Sequence, residues 1–255
     1  MKIVRNMFSA VVILISCPVM LWAGEVDNLI IKGNELYQNN QFADAIVVYQ
    51  QVLEKGYESE ALYYNLGNAY YRTGKLGYAI LFYEKALKLA PDDEDINYNL
   101  LISNARTVDK IKELPKLFFV EWWEVLVTSL TVNGWLTLLI IFYYLLLVAV
   151  GAYFLVKRFQ FQHYLLYWGT VNIVILLLFS LFLFARISRD ESFDYGILIE
   201  STVTAKQSPN EKSGDVFVVH EGIKFEIEDQ LDNWAKIKLA DGKVGWLPEN
   251  CFEKI

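Results

Sequence analysis

Three regimes of hydrophobic patterning follow one another along the chain. Between residues 26 and 110 apolar side chains return every three to four positions, the period of amphipathic helices. The stretches Trp135–Val156 (WLTLLIIFYYLLLVAVGAYFLV) and His163–Ala185 (HYLLYWGTVNIVILLLFSLFLFA) are almost unbroken hydrocarbon, with His163 and Asn172 as the notable polar groups. Both exceed the roughly 20 residues that cross a bilayer core as helix. After Arg189 the period drops to two, with turn residues close together, which predicts short strands. The expected strands are Ile197–Ala205, Val216–His220, Phe225–Asp229, Trp234–Leu239, Val244–Leu247 and Cys251-Phe252, with Asp241-Gly242 as a hairpin turn.

Within the first regime the sequence repeats itself at an offset of 34 residues. Gly33 matches Gly67, Tyr37 matches Tyr71, Ala45 matches Ala79, Tyr49 matches Tyr83, and Val52 matches Ala86. Asn39-Asn40-Gln41 and Thr73-Gly74-Lys75 are the turns inside each copy, and Pro91 closes the second. This pattern resembles the tetratricopeptide repeat, in which small residues let two antiparallel helices touch and aromatics fill between them. The domain is placed at 24–110, with repeats at 26–58 and 60–91 and a capping helix at 93–110. Asp92 or Asp93 can cap that last helix.

The resemblance implies that the first helix of each repeat lines a concave groove. Its groove positions fall on Asn34, Tyr37 and Gln38, then Tyr64, Asn68, Tyr71 and Arg72, then Tyr98 and Arg106. Asn34 and Asn68 hold the position where such grooves hydrogen-bond the backbone of a bound peptide. The bases of a carboxylate clamp are missing: Ile30 and Tyr64 occupy one clamp position, Asp27 and Ala61 another. An aromatic groove for an extended or helical segment fits better than one for acidic C-termini. The same tyrosines can instead be packing residues of an undersized solenoid.

The N-terminus reads as a leader. Lys2 and Arg5 precede an apolar run from Met7 to Trp22 and the small residues Ala23-Gly24, which gives a signal peptide over 1–23. Leu14-Ile15-Ser16-Cys17 is a rival lipobox, so Cys17 is either removed with the leader or lipidated. Residues 111–134 form a linker and a Trp-rich helix, starting after Pro115 and ending at Asn133-Gly134. That helix lies in the membrane interface or packs beneath the N-terminal helices. The spans 135–156 and 163–185 then make a hairpin whose tight turn carries Lys157 and Arg158, which suits the cytoplasm. Asn172 is read as a polar contact between the two spans.

The C-terminal residues 190–255, too few for a large core, suit a small closed barrel. The run VVHEGIKFEI…NWAKIKLADGKVGWLPENCFEKI resembles the bacterial SH3-like domain, with Gly222, Trp234 and Gly245-Trp246 as its marks. Trp234 and Trp246 are either core residues or the floor of a groove.

Charge and chemistry remove several classes. Residues 25–109 carry −6 and 190–255 carry −7, flanking a middle of +4 and a leader of +2. Neither acidic portion has the basic stripe that nucleic acid requires. Two cysteines, Cys17 and Cys251, give no internal disulfide in the mature chain, and Cys251 reads as a small core residue. His163 and His220 stand apart without metal-ligand spacing. No nucleophile, base and orienting group come together, and the spans hold no carboxylate or lysine to carry ions. The expectation is a non-enzyme with no cofactor, no metal site and no catalytic residue.

The fold class is therefore a multi-domain membrane protein: an α-helical tetratricopeptide solenoid, a transmembrane helical hairpin and a small all-β SH3-like barrel. This order resembles the E-type proteins of the Bacteroides aerotolerance (Bat) operon, through the two glycine-registered repeats, DINYNLLISNAR, WWEVLVTSLTVNGW and DGKVGW. The resemblance implies a two-pass inner-membrane protein with both soluble domains in the periplasm. It also implies a scaffold role in stress or oxygen tolerance, with von Willebrand A-type proteins and a MoxR-type ATPase as partners. The alternative is an envelope sensor whose SH3-like domain binds peptidoglycan.

Overall fold

A computed structural model describes residues 24–255 apart from 113, 116, 157 and 193. The proposed signal peptide, Cys17 and Lys157 lie outside the described residues. The chain divides into two compact units, one joining residues 24–112 to Asp194–Ile255, the other running from Leu114 to residue 192.

The first unit begins with five helices: α1 (24–38), α2 (Phe42–Glu54), α3 (Glu60–Arg72), α4 (Leu76–Leu89) and α5 (Glu94–Arg106). Their ends obey local chemistry. Ser59 accepts the Leu62 N–H and Asp93 accepts the Ile96 N–H, satisfying donors that a helix start leaves orphaned. The turns α1–α2 and α3–α4 are the same object displaced by one repeat. In each the chain reverses through a left-handed residue, Asn40 (φ 60°) in the first and Gly74 (φ 79°) in the second. Asn40 and Gly74 N–H groups donate to Tyr37 and Tyr71 carbonyls respectively. The fifth helix stops at Arg106, short of the expected 110, because the Lys110 ammonium folds back onto the Asn104 and Ala105 carbonyls.

The C-terminal part of this unit is one antiparallel sheet of seven strands in the order β3-β2-β6-β5-β4-β1-β7. These are β1 (Asp194–Leu198), β2 (Thr202–Lys206), β3 (Asp215–His220), β4 (Lys224–Leu231), β5 (Trp234–Lys238), β6 (Val244–Pro248) and β7 (Phe252–Lys254). The strands at the two ends, β3 and β7, are not paired with each other among the described residues, so hydrogen bonding leaves the sheet open. The single strand expected over Ile197–Ala205 is two, β1 and β2. Its start cannot alternate, because Ile197 and Leu198 are both fully buried, in different clusters. Leu198 belongs to the sheet's own core with Phe225, Ile237, Leu247 and Cys251, whereas Ile197 packs among the helices.

The sheet is thus docked on the helical repeats, mainly through α4. That helix has Lys75 as its N-cap residue, which offers no side-chain cap. Its Gly77 N–H donates instead to the Glu221 carboxylate in the β3–β4 turn, at 2.7 Å. Gly77 also lacks the Cβ that would stand 2.6 Å from the Leu198 carbonyl oxygen. Across the same contact Gly222 (φ +86°) faces Ile80 and Thr107, and Lys224 pairs with Glu84 at 2.7 Å. The segment after α5 is strapped to the sheet as well. Asp109 accepts the His220 backbone N–H at 2.7 Å and faces its Nδ1 at 3.0 Å, and Ile111 joins the sheet's core.

The second unit holds α6 (Phe118–Thr128), α7 (Val132–Leu155) and α8 (Phe159–Ser192). The latter two are long and apolar enough to cross a bilayer, and their apolar side chains stay largely exposed. The break between α6 and α7 comes earlier than Asn133-Gly134, because Thr131 caps α7 and accepts the Gly134 N–H. The helix α8 runs on past Ala185 to Ser192. The Trp-rich helix packs on α8, with Trp123 against Phe182 at 5.5 Å, while Trp135 donates its indole N–H to the Val127 carbonyl. Asn172 is buried in α8, yet its Oδ1 meets no donor among the described residues.

Candidate functional site

The helices α1, α3 and α5 present the same columns of residues at offsets of 34: 34/68/102, 37/71/105 and 38/72/106. A cavity of about 110 Å³ opens between them, lined by Tyr37, Asn68, Tyr71, Arg72, Tyr83, Asn99 and Ile102. Four of the residues expected from the sequence, Tyr37, Asn68, Tyr71 and Arg72, meet there.

The floor is set by a unit that occurs twice. Gly33 and Gly67 have no side chain because the rings of Tyr49 and Tyr83 occupy that space; a Cβ on Gly67 would lie 2.6 Å from the Tyr83 ring. Each buried phenol then donates to an asparagine, Tyr49 to Asn34 Oδ1 and Tyr83 to Asn68 Oδ1, both at 2.7 Å. Burial, reinforced by the nearby Tyr37 phenol, pushes the Tyr49 pKa up to about 12. Burial likewise raises Tyr83, with Tyr64, Tyr37 and Tyr71 adding to the effect. Both phenols therefore remain protonated donors at neutral pH.

A second donor reaches each asparagine oxygen from the next inner helix. Asn65 Nδ2 donates to Asn34 Oδ1 and Asn99 Nδ2 to Asn68 Oδ1, each at 3.2 Å. Asn99 also donates to the Tyr64 hydroxyl at 2.8 Å. The two asparagines are thus ties between helices, and Asn68 also lines the cavity. Sequence reasoning assigned them to a ligand alone and missed Asn65 and Asn99, although these stand one repeat apart. With the oxygens doubly occupied, the Asn34 and Asn68 amide nitrogens are left without an acceptor among the described residues.

The rim is cationic. The Arg72 guanidinium lies over the Phe42 ring at 4.4 Å and Arg106 over the Tyr71 ring at 5.0 Å. Gln38 is exposed in the same column. Tyr98 is apart from the cavity and 63% exposed, α5 being the last α-helix described in the first unit. Tyr64 supports the floor through Asn99 and a ring contact to Tyr83 at 6.0 Å.

On the sheet, Trp234 and Trp246 are half-buried and alternate with the buried Ala235, Ile237, Gly245 and Leu247. Both therefore belong to the outward face, not the core. Trp234 opposes Pro248 and Trp246 opposes Lys236, which places the two indoles on a diagonal. Cys251 is buried as expected, its thiol pKa raised to about 12 by burial and the nearby Glu200 carboxylate. A separate, open cavity of about 400 Å³ lies where residues 109–112 meet β3 and the Leu239–Lys243 turn. No grouping of three or more His, Cys, Asp or Glu suited to a metal occurs among the described residues.

A comparison with curated proteins returned no match. Residues 32–94, from within α1 to the first residue of α5, match the tetratricopeptide repeat family. The helical part of the first unit is a tetratricopeptide-repeat region, a kind of module that generally mediates contacts between proteins.

Proposed function

We propose that this chain is a non-enzymatic, membrane-anchored adaptor whose tetratricopeptide groove holds a segment of a partner protein. The observation that carries the reading is the make-up of the first unit. Its helices precede the α7–α8 hairpin and its sheet follows it, yet the two bury Ile197, Gly77 and Gly222 against each other and share the Glu221 cap. Parts that fold together must lie in one compartment. A hairpin that crosses a bilayer twice satisfies this condition, and a single crossing does not.

In the finer form of the proposal, the compartment is the bacterial periplasm, the anchor sits in the inner membrane and residues 1–23 are the export signal. The partners are von Willebrand A-type Bat proteins working with a MoxR-type ATPase. The SH3-like resemblance of the sheet is read here as structural: its docking completes α4. The outward Trp234 and Trp246 keep peptidoglycan binding as the alternative, testable by sedimenting the detergent-solubilised chain with purified sacculi.

A photo-crosslinking residue placed at Gln38 in the groove column, and at Val47 on the outer face of α2, tests the adaptor reading in cells. The expected result is a discrete protein adduct from position 38 alone. Equal adducts from both positions, or none from 38, would remove the groove from the proposal. Tags before Glu25 and after Ile255 should be cleaved together by protease added to spheroplasts; protection of only one would exclude the shared compartment.

A further inference from the structure

We infer that the segment held in the groove is acidic, bound through side-chain carboxylates rather than a free C-terminus. This rests on the adaptor reading and specifies the chemistry of its partner. The helical region carries a net −6, yet Arg72 is the one charged residue lining its cavity. Arg106 stands next to it in the same column, one repeat further on. Among the described residues neither guanidinium pairs with a carboxylate, and each lies over an aromatic ring of the preceding repeat. The ring contact uses up no carboxylate, so the guanidinium N–H fork remains for a bidentate acceptor, and holding the side chain over a ring lowers the rotamer entropy lost on binding.

The rest of the groove agrees. The Asn34 and Asn68 amide nitrogens are spare donors whose orientation is fixed by the two bonds to each oxygen, and peptide carbonyls are their natural acceptors. Ile30, Tyr64, Asp27 and Ala61, at the positions where the repeat resemblance puts the bases that grip a terminal carboxylate, offer no cation. Inner helices bonded as closely as α3 and α5 have axes roughly 10 Å apart. An extended chain rises about 3.3 Å per residue, so two acidic side chains about three residues apart would meet both arginines.

The test is an immobilised array of peptides blocked at both ends, in which two Glu residues are separated by increasing spacers of Leu, Tyr and Ala. Gln counterparts accompany each peptide, and the full-length chain in detergent is the probe. The expected result is retention on the Glu peptides about tenfold above their Gln counterparts, weakening as salt rises. That preference should vanish in Arg72→Gln/Arg106→Gln, which alters only exposed side chains, and persist in Lys85→Gln, whose cation–π contact is to Phe82. Equal retention on Glu and Gln peptides, lost when Ile102→Trp fills the cavity, overturns the acidic preference and leaves the groove. Retention on neither set, or retention indifferent to both the arginine pair and Ile102→Trp, overturns the groove and the inference together.

Discussion

The two repeats are built alike and surrounded differently. In both, a glycine admits a tyrosine ring, the phenol bonds an asparagine, and the chain turns through a left-handed residue. Outside that shared skeleton they diverge. In α2, Ala43 is exposed, Gln50 reaches the Tyr70 hydroxyl and Glu54 is free to solvent. One repeat later those positions are Gly77, Glu84 and Lys88, which touch Leu198, Lys224 and the Ile255 carbonyl respectively. The departures from the repeat coincide with the docking surface of the sheet. An internal repeat therefore acts as its own control: what both copies keep is needed by the solenoid, and what one copy changes marks what that copy alone must touch.

The largest test of this division removes the shared skeleton. Tyr49→Ala and Tyr83→Ala should each lower unfolding free energy by about 4 kcal/mol, the usual cost of truncating a buried aromatic. Denaturant titration of the two variants should give similar values; a Tyr49→Ala variant as stable as wild type would break the claim of equivalence. Converting repeat-two residues to their repeat-one counterparts comes next. Gly77→Ala should cost about 2 kcal/mol, since its Cβ meets a backbone oxygen that has no rotamer to change. The same variant should speed proteolysis of the sheet, whereas the reciprocal Ala43→Gly costs about 1 kcal/mol or less, from helix propensity alone.

Smaller effects sharpen the comparison. Glu221→Ala should cost about 1 kcal/mol by uncapping α4, measured as a drop in Tm, with α2 unaffected because no sheet residue caps it. Glu84→Gln restores the first repeat's residue and should cost about 0.5 kcal/mol, because Lys224 is partly exposed. That last difference should shrink in high salt; an effect independent of salt would mean that the pair acts through packing.

Much of this was legible in the chain. The offset of 34 residues located both glycines, both tyrosines and both turns, and two long apolar runs located α7 and α8. Periodicity reports one buried face per element, so it failed where an element is buried on two. Ile197 and Leu198 lie back to back in separate cores, a pattern that merges with the alternation of β2 and hides the break between the strands. The docking itself had a signature in the Ala43/Gly77, Gln50/Glu84 and Glu54/Lys88 differences, but matching copies draws attention to agreement and not to mismatch. Assigning Asn34 and Asn68 to a ligand alone left out their role between helices, although Tyr49 and Tyr83, and Asn65 and Asn99, recur at the same offset and donate to their oxygens.

Because Glu221, Gly222 and Ile197 come from the last third of the chain, the outer face of α4 stays bare until synthesis is nearly finished. The helical repeats are made early, the apolar hairpin next, and the sheet that covers the repeats last. If the hairpin crosses a bilayer as proposed, a chain in which it inserted wrongly would strand the sheet in the other compartment and leave Ile80 and its neighbours open to chaperones and proteases. Under the two-crossing proposal, the interrupted order of the sequence would give the fold a means of proofreading its own insertion: the first unit would mature only in molecules whose hairpin had been threaded correctly.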